Sequence, residues 1–186
     1  MNSTYVVSTP TYPALSRMTG TRTPDEAALF ASQAISYLIE TWLNHYDLAG
    51  STGHVVDVTL NKLSYLFDLG PDRLIAAWGI SAGRFAGDRD KSRMQGFPVL
   101  NRPLYHAGHA IPHRLGGGTD INLTAQLGLV NIGPFKVLES RAVKTPGSLY
   151  FTYWMYGADL TSQRAQRVQQ GLLIPGASPE IREFQN

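Results

Sequence analysis

From Phe30 onward the hydrophobic positions recur with a helical period. Phe30, Ala34, Leu38, Trp42 and Tyr46 form one stripe, widened by Ala31, Ile35, Ile39 and Leu43. Apolar residues at this spacing share one face of a 3.6-residue turn, so the pattern predicts a helix buried along that face. Thr23-Pro24-Asp25-Glu26 supplies its start. Thr is the N-cap, Pro sits at the first helical position where its missing N–H is not needed, and Glu closes a capping box. The helix runs to about Ala49 and is ended by Gly50. Such an aromatic stripe is ordinarily core, with a groove for a partner protein as the alternative.

Two more helices are expected. One runs from about Asp57 to Leu69, with Leu60, Leu63, Leu66 and Phe67 inward and Gly70 as stop; the other, opened by Pro71, covers Asp72 to about Ala82. Gly83 to Gln95 is the most charged stretch, and reads equally as a solvated linker or as a loop offering Arg84, Arg89, Lys91 and Arg93 to phosphates.

The pattern then changes. Tyr105 to His113 is too short and broken for a helix, because Pro112 inside one would cost about 3 kcal/mol. On an extended chain at roughly 3.3 Å per residue, His109 and His113 would lie about 13 Å apart, which rules out a helical zinc pair. Leu115-Gly116-Gly117-Gly118-Thr119-Asp120 is a turn by composition, and no Lys-Ser/Thr pair follows to make it a P-loop. A helix from about Ile132 to Ala142 is expected next. Phe135, Leu138 and Ala142 share its stripe, Pro134 falls in its first turn, and Asn131 stands at or just before its start, by default as an N-cap. Ser148 to Gly157 reads as a strand, and Ala177 to Asn186 as a surface tail.

Composition narrows the picture. At 186 residues, 43% hydrophobic and 16% charged, the chain can bury a core of its own. A net charge of +2 excludes a strongly acidic binder and by itself does not indicate nucleic acid. With no Cys there is neither a disulfide scaffold nor a thiolate zinc site. No run approaches ~18 apolar residues, so no membrane span is expected, and Met1 to Arg22 lacks the apolar core of a signal peptide. The predicted class is α+β: 1–22 an extended lead-in, 23–95 a bundle of about three helices, and 96–186 a mainly antiparallel sheet carrying the chemistry. The short charged connector favours one compact body.

That chemistry concentrates between Tyr105 and Glu139, where a His follows an alternating run and two Asn and a Glu follow a glycine-rich turn. A neutral imidazole to take a proton from water, and oxygen ligands for a hard divalent cation, are what a single-metal phosphodiester hydrolase requires. The segment resembles the DNA/RNA non-specific endonucleases of the ββα-metal (His-Me finger) class, whose core reads Asp-Arg-Gly-His, Gly-Gly, Asn-Leu-x-x-Gln and Asn-x-Gly-x-x-x-x-Leu-Glu. The matches are Gly108-His109, Gly116-Gly117, Asn122-Leu123-Thr124-Ala125-Gln126, and Asn131-Ile132-Gly133 running to Leu138-Glu139. The resemblance covers about Gly96 to Gly176.

The resemblance implies a ββα-metal unit in which His109 is the general base and Asn131 a direct ligand of Mg²⁺ or another divalent cation such as Mn²⁺. Glu139 would hold the metal's waters, and Asn122 would orient the His or the scissile phosphate. The family's Asp-Arg is His106-Ala107 here, so the phosphate-contacting arginine is missing from its place; Arg102, Arg114 and Arg93 are the candidates to replace it. The implied activity is Mg²⁺-dependent, sequence-non-specific hydrolysis of DNA, with RNA a second candidate substrate, leaving 5′-phosphate and 3′-hydroxyl ends. A short nuclease behind an unrelated first half looks like a toxin domain, exported and acting in a target-cell cytoplasm, with a cognate immunity protein as partner. Two other classes compete: a non-catalytic nucleic-acid-binding module on a nuclease-like fold, which Ala107 keeps open, and a helical interaction module in the first 90 residues.

Overall fold

The computed structural model describes residues 6–18, 23–49, 53–97 and 104–186. The capping box at Thr23 forms: its Oγ1 accepts from the Glu26 N–H at 3.3 Å, and Glu26 Oε2 accepts from the Thr23 N–H at 2.9 Å. From that cap α2 (Pro24–Leu48) runs 25 residues, preceded by the short α1 (Pro13–Arg17). Along its stripe Phe30, Ala34, Leu38, Trp42 and Tyr46 are all buried. At about 1.5–3 kcal/mol for each large side chain taken from water, this stripe is what fixes the helix on the sheet.

The two helices expected after it are strands. β2 (Val55–Leu60), β3 (Leu63–Asp68) and β4 (Arg73–Ile80) form an antiparallel meander, so the N-terminal half is one long helix plus a sheet edge rather than a three-helix bundle. Val55-Val56-Asp57-Val58-Thr59 is rich in β-branched residues, which lose rotamer freedom in a helix and pack well on a pleat. Asn61 and Lys62 both adopt positive φ, 51° and 67°, and close a two-residue turn with Leu60 opposite Leu63. β4 is buried on both faces along nearly its whole length, so its apolar run shows no alternation.

β4 continues the sheet into the second half through β7 (Leu149–Met155), β8 (Arg167–Leu173) and β9 (Glu180–Gln185). With β1 (Val6–Ser8) at one edge, the seven-stranded order is β1-β9-β8-β7-β4-β3-β2, every neighbouring pair antiparallel. Segments 23–95 and 96–186 therefore share one sheet. Two further expectations change with it. In the lead-in, β1 (Val6–Ser8) pairs with β9, Leu15 is fully buried, and the Tyr12 hydroxyl donates to Gln169 Oε1. The expected C-terminal surface tail contains β9, with Ile181 and Phe184 buried, because its apolar residues fall on the two helix-covered faces of the sheet. The class is α+β with an antiparallel sheet and few helices.

Helices cover both faces of the sheet. On one, Trp42 of α2 packs against Trp78, Phe151 and Tyr153 with ring centroids 6.0, 5.2 and 5.7 Å away. Gly171 leaves room there, since a Cβ on it would sit 2.1 Å from the Phe151 ring. On the other face α5 (Phe135–Lys144) buries Phe135, Leu138 and Ala142, and Phe135 lies 5.5 Å from the Phe184 ring. Gln170 Nε2 ties that helix down, donating to Phe135 O at 2.7 Å and to the Tyr150 hydroxyl at 2.8 Å.

The chain between β4 and β7 is one long excursion. Its two ends are bonded to each other, Ser81 N–H to Ser148 O and Gly147 N–H to Ser81 O, both at 2.8 Å. It contains α3 (Lys91–Gly96), a separate antiparallel pair of β5 (Tyr105–His109) and β6 (Leu123–Leu127), then α4 (Gly128–Ile132) and α5. Asn186 pins β6 to the main sheet: its Oδ1 accepts from Leu127 N–H at 2.8 Å, and its Nδ2 donates to Ala125 O and Ala165 O at 3.0 Å. Among the described residues no helix is long and apolar enough to cross a membrane.

Candidate functional site

A cleft of about 300 Å³ opens where the end of β5 faces α4 and α5, and His109, Asn131 and Glu139 all line it. His109 closes β5 opposite Leu123. The residue before it must be small, since a Cβ on Gly108 would sit 2.3 Å from Gln126 Oε1 on the partner strand. The His109 ring is buried, and its Nε2 is closed to solvent and has no hydrogen-bond partner among the described residues. Burial above all, then the positive charge of Arg89 and the neighbouring His113, push its pKa down to about 4. The imidazole is therefore neutral at pH 7 and able to accept a proton.

His109 and His113 lie nearer one another than an extended chain would place them. Pro112 leads into a 3₁₀ turn, His113–Leu115, that curls back and brings the two rings to a centroid distance of 6.4 Å, edge to face. Among the described residues no cluster of three His, Cys, Asp or Glu is placed to hold a metal ion.

Asn122 does not reach the cleft. It is fully buried, and its amide is spent on backbone: Oδ1 accepts from Ile111 N–H at 2.7 Å, and Nδ2 donates to Ile111 O and Gly118 O at 2.9 Å. With Ala110 N–H bonded to Asn122 O at 2.9 Å, the residue braces the loop that follows His109. Of the two roles expected for it, orienting the His or orienting the scissile phosphate, full burial leaves only the first, exerted through the loop. Gly117 belongs to the same brace, because a Cβ there would lie 1.8 Å from Ile111 O.

Asn131 sits inside α4, not at the start of a helix running on to Ala142. Pro134 lacks an N–H and its ring clashes with the carbonyl four residues back, so the helix breaks at Gly133 and restarts as α5. No side chain caps α5, so Asn131 is not an N-cap. Its amide, hydrogen-bonded to none of the described residues, lines the cleft.

Glu139, expected on its own merits to be a solvated surface acid, is half-buried. Burial raises its carboxyl to about 7, against the opposing pull of Lys136, Arg114 and Arg89. Beneath it lies Tyr150, whose hydroxyl is held well above its ordinary value by burial first and by the Glu139 charge second.

Of the three arginines singled out for phosphate, Arg114 lines the cleft. Arg93 does not: it sits on α3 and is engaged by Asp120 and by Asp90, the latter at 3.8 Å. Arg102 lies outside the described residues. Lys136 and Arg89 complete the wall. Lys136 went unnoticed in sequence; its one signal is its place a helical turn before Glu139. Three cations thus face one carboxyl group and a neutral imidazole, leaving a surplus of at least two positive charges, which favours a polyanionic ligand. As donors for a cation, the Asn131 amide and the Glu139 carboxylate are hard oxygens, few in number and open to water. That set fits Mg²⁺, which keeps several of its waters, and does not fit zinc.

No protein-family model matches this chain, and no curated protein matches it either.

Proposed function

We propose that the cleft hydrolyses phosphodiester bonds of nucleic acid with the help of a divalent cation. One observation carries the reading: a neutral, buried His109 and a carboxylate share a cleft whose remaining charges are three cations. The succession of β5, β6 and two helices, together with the sequence's resemblance to the ββα-metal class, supports the reading.

The surplus charge draws the phosphate backbone in, and such contacts carry no sequence information, so cleavage is sequence-non-specific. His109 takes the proton of the attacking water as the new P–O bond forms. The bond from phosphorus to the 3′ oxygen breaks, that oxygen gains a proton from solvent, and 5′-phosphate and 3′-hydroxyl ends result. A Mg²⁺ or Mn²⁺ ion held by Asn131 and Glu139 would supply Lewis-acid stabilisation of the phosphoryl and leaving oxygens. Asn122 keeps the loop after His109 in register, and so acts through another residue.

DNA is the first substrate and RNA the second. The biological setting that goes with this reading is a toxin domain delivered to a target-cell cytoplasm and neutralised by a cognate immunity protein. It rests on the sequence resemblance, and a tightly binding product of a neighbouring reading frame would support it.

The test is digestion of plasmid DNA and structured RNA with Mg²⁺, with EDTA, and with His109→Ala. Wild type should cut only with metal, and losing the base should slow it by roughly 10²–10⁴-fold. The second reading, favoured by Ala107 in place of the family's arginine, is a non-catalytic nucleic-acid-binding module. A folded, Mg²⁺-loaded wild type that binds DNA in a salt-dependent way and cuts neither substrate would replace the first reading with it.

A further inference from the structure

The charged segment between β4 and α3 is fastened to the turn that follows His109. Phe85 N–H donates to Arg114 O at 2.8 Å, and His113 Nε2 stands 3.0 Å from Asp88 O, placed for its N–H to donate there. The Phe85 ring meets His113 edge-on at a centroid distance of 5.6 Å. These anchors carry Arg89, the residue after Asp88, into the cleft. Its side chain is exposed and makes no ion pair or hydrogen bond among the described residues. Arg93, four residues on, is by contrast engaged by two carboxylates.

Position separates Arg89 from the other cations of the wall. Arg114 and Lys136 act on Glu139, whereas Arg89 acts on both Glu139 and His109. Arg89 lines the same cleft as both the proton acceptor and the carboxylate. Ala107 faces the same cleft with only a methyl group, so β5 leaves room there for a side chain from elsewhere. The planar fork of a guanidinium matches two oxygens of one phosphate or carboxylate, and the surplus positive charge of this cleft favours the phosphate of a polyanion.

We infer that Arg89 grips the phosphate diester lying between His109 and Glu139, and that His113 is its positioning residue, holding the Asp88 carbonyl so that the strap delivers the guanidinium into the cleft. That this phosphate is the one cleaved rests on the nuclease reading; that Arg89 binds phosphate does not.

The experiment follows binding of a short fluorescent DNA duplex in EDTA across a range of KCl concentrations, and separately its cleavage with Mg²⁺. Arg89→Ala should flatten the dependence of log K on log[salt] by about 0.9, the value of one phosphate contact on duplex DNA. It should lower kcat/KM roughly 10–100-fold while leaving Tm unchanged, because the side chain is exposed. Arg89→Lys should restore part of the affinity and little of the rate. Arg93→Ala should leave the binding slope near that of wild type. His113→Ala should reproduce the Arg89→Ala slope, and the double variant should be no worse than Arg89→Ala, since both lose one contact. An unchanged salt slope in Arg89→Ala, or additive losses in the double variant, would overturn the proposal. A wild type that cuts nothing while Arg89→Ala still flattens the slope removes the nuclease reading and keeps the phosphate grip. A wild type that cuts, with Arg89→Ala matching it in slope and rate, does the reverse.

Discussion

Glu139→Gln separates what the cleft does from what it takes out of the fold. The Glu139 carboxyl, ordinarily at 4.5, is raised to about 7, chiefly by burial. At about 1.4 kcal/mol per factor of ten, its ionised form is disfavoured by at most about 3.5 kcal/mol. The group is only half-buried, and solvent screening brings the expected effect to about 1–2 kcal/mol. Below pH 4.5 the carboxyl is protonated in both the folded and the unfolded chain, so wild type and variant should be equally stable. As pH rises from 4.5 towards 7 the unfolded chain ionises first while the folded one keeps its proton, and wild type loses stability; above 7 the loss is complete. His109 works the other way, lowering stability as pH falls from 6.5 to about 4, but it does so in both proteins and cancels from the difference. Urea unfolding followed by circular dichroism in EDTA should therefore show Glu139→Gln level with wild type at pH 4 and ahead of it by about 1–2 kcal/mol at pH 8, a rise in Tm of roughly 2–8 °C. Mg²⁺ should raise the Tm of wild type at pH 8 and leave the variant where it is. A variant less stable than wild type at pH 8 in EDTA, or a gap of equal size at pH 4 and pH 8, would refute the reasoning.

Three other perturbations probe the same region. Because His109 stays neutral above about 4, the acid limb of the rate should follow Glu139, with a midpoint near 7 at low Mg²⁺ that moves down as the cation displaces the proton; a midpoint insensitive to Mg²⁺ in a kcat/KM profile would contradict this. Asn122→Ala removes three bonds to backbone, two at Ile111 and one at Gly118, and should cost about 2–4 kcal/mol in denaturant titrations together with activity; an unshifted unfolding midpoint would show that the brace is not structural. Gly117→Ala drives a methyl group to 1.8 Å from a backbone carbonyl, so a loss of more than about 3 kcal/mol is expected, and a wild-type thermal midpoint would count against the geometry of the loop.

What could be read from the sequence was whatever depends on near neighbours. The Thr23–Glu26 capping box and the stripe from Phe30 to Tyr46 are local devices, and both appear in the structure. The meander at 55–80 was misread because Leu60, Leu63, Leu66 and Phe67 happen to fall at helical intervals, while β4 carries no alternation once both of its faces are buried. The readable warning was the β-branched run from Val55 to Thr59, followed by Asn61-Lys62 as a tight turn. His109, Asn131 and Glu139 are marked as a set by the resemblance of their motifs, since by themselves Asn131 reads as an N-cap and Glu139 as a surface acid, and all three line one cleft. Asn122 could not be assigned a position, because an amide that binds backbone looks in sequence like one that binds substrate. Arg89 was one of several charges in a loop, and only the anchors to His113 and Arg114 single it out.

β4 and β7 lie side by side, and the segment between them departs at Ser81 and returns at Ser148, next to its point of departure. Among the described residues, every side chain that lines the cleft belongs to that segment. The architecture is therefore that of a chassis with exchangeable cargo. A graft needs two joints, at a place where the backbone is already paired, and no strand has to be re-threaded. The constraint on any replacement is coverage: α5 roofs one face of the sheet with Phe135, Leu138 and Ala142, so an incoming insert must bring an apolar roof of its own.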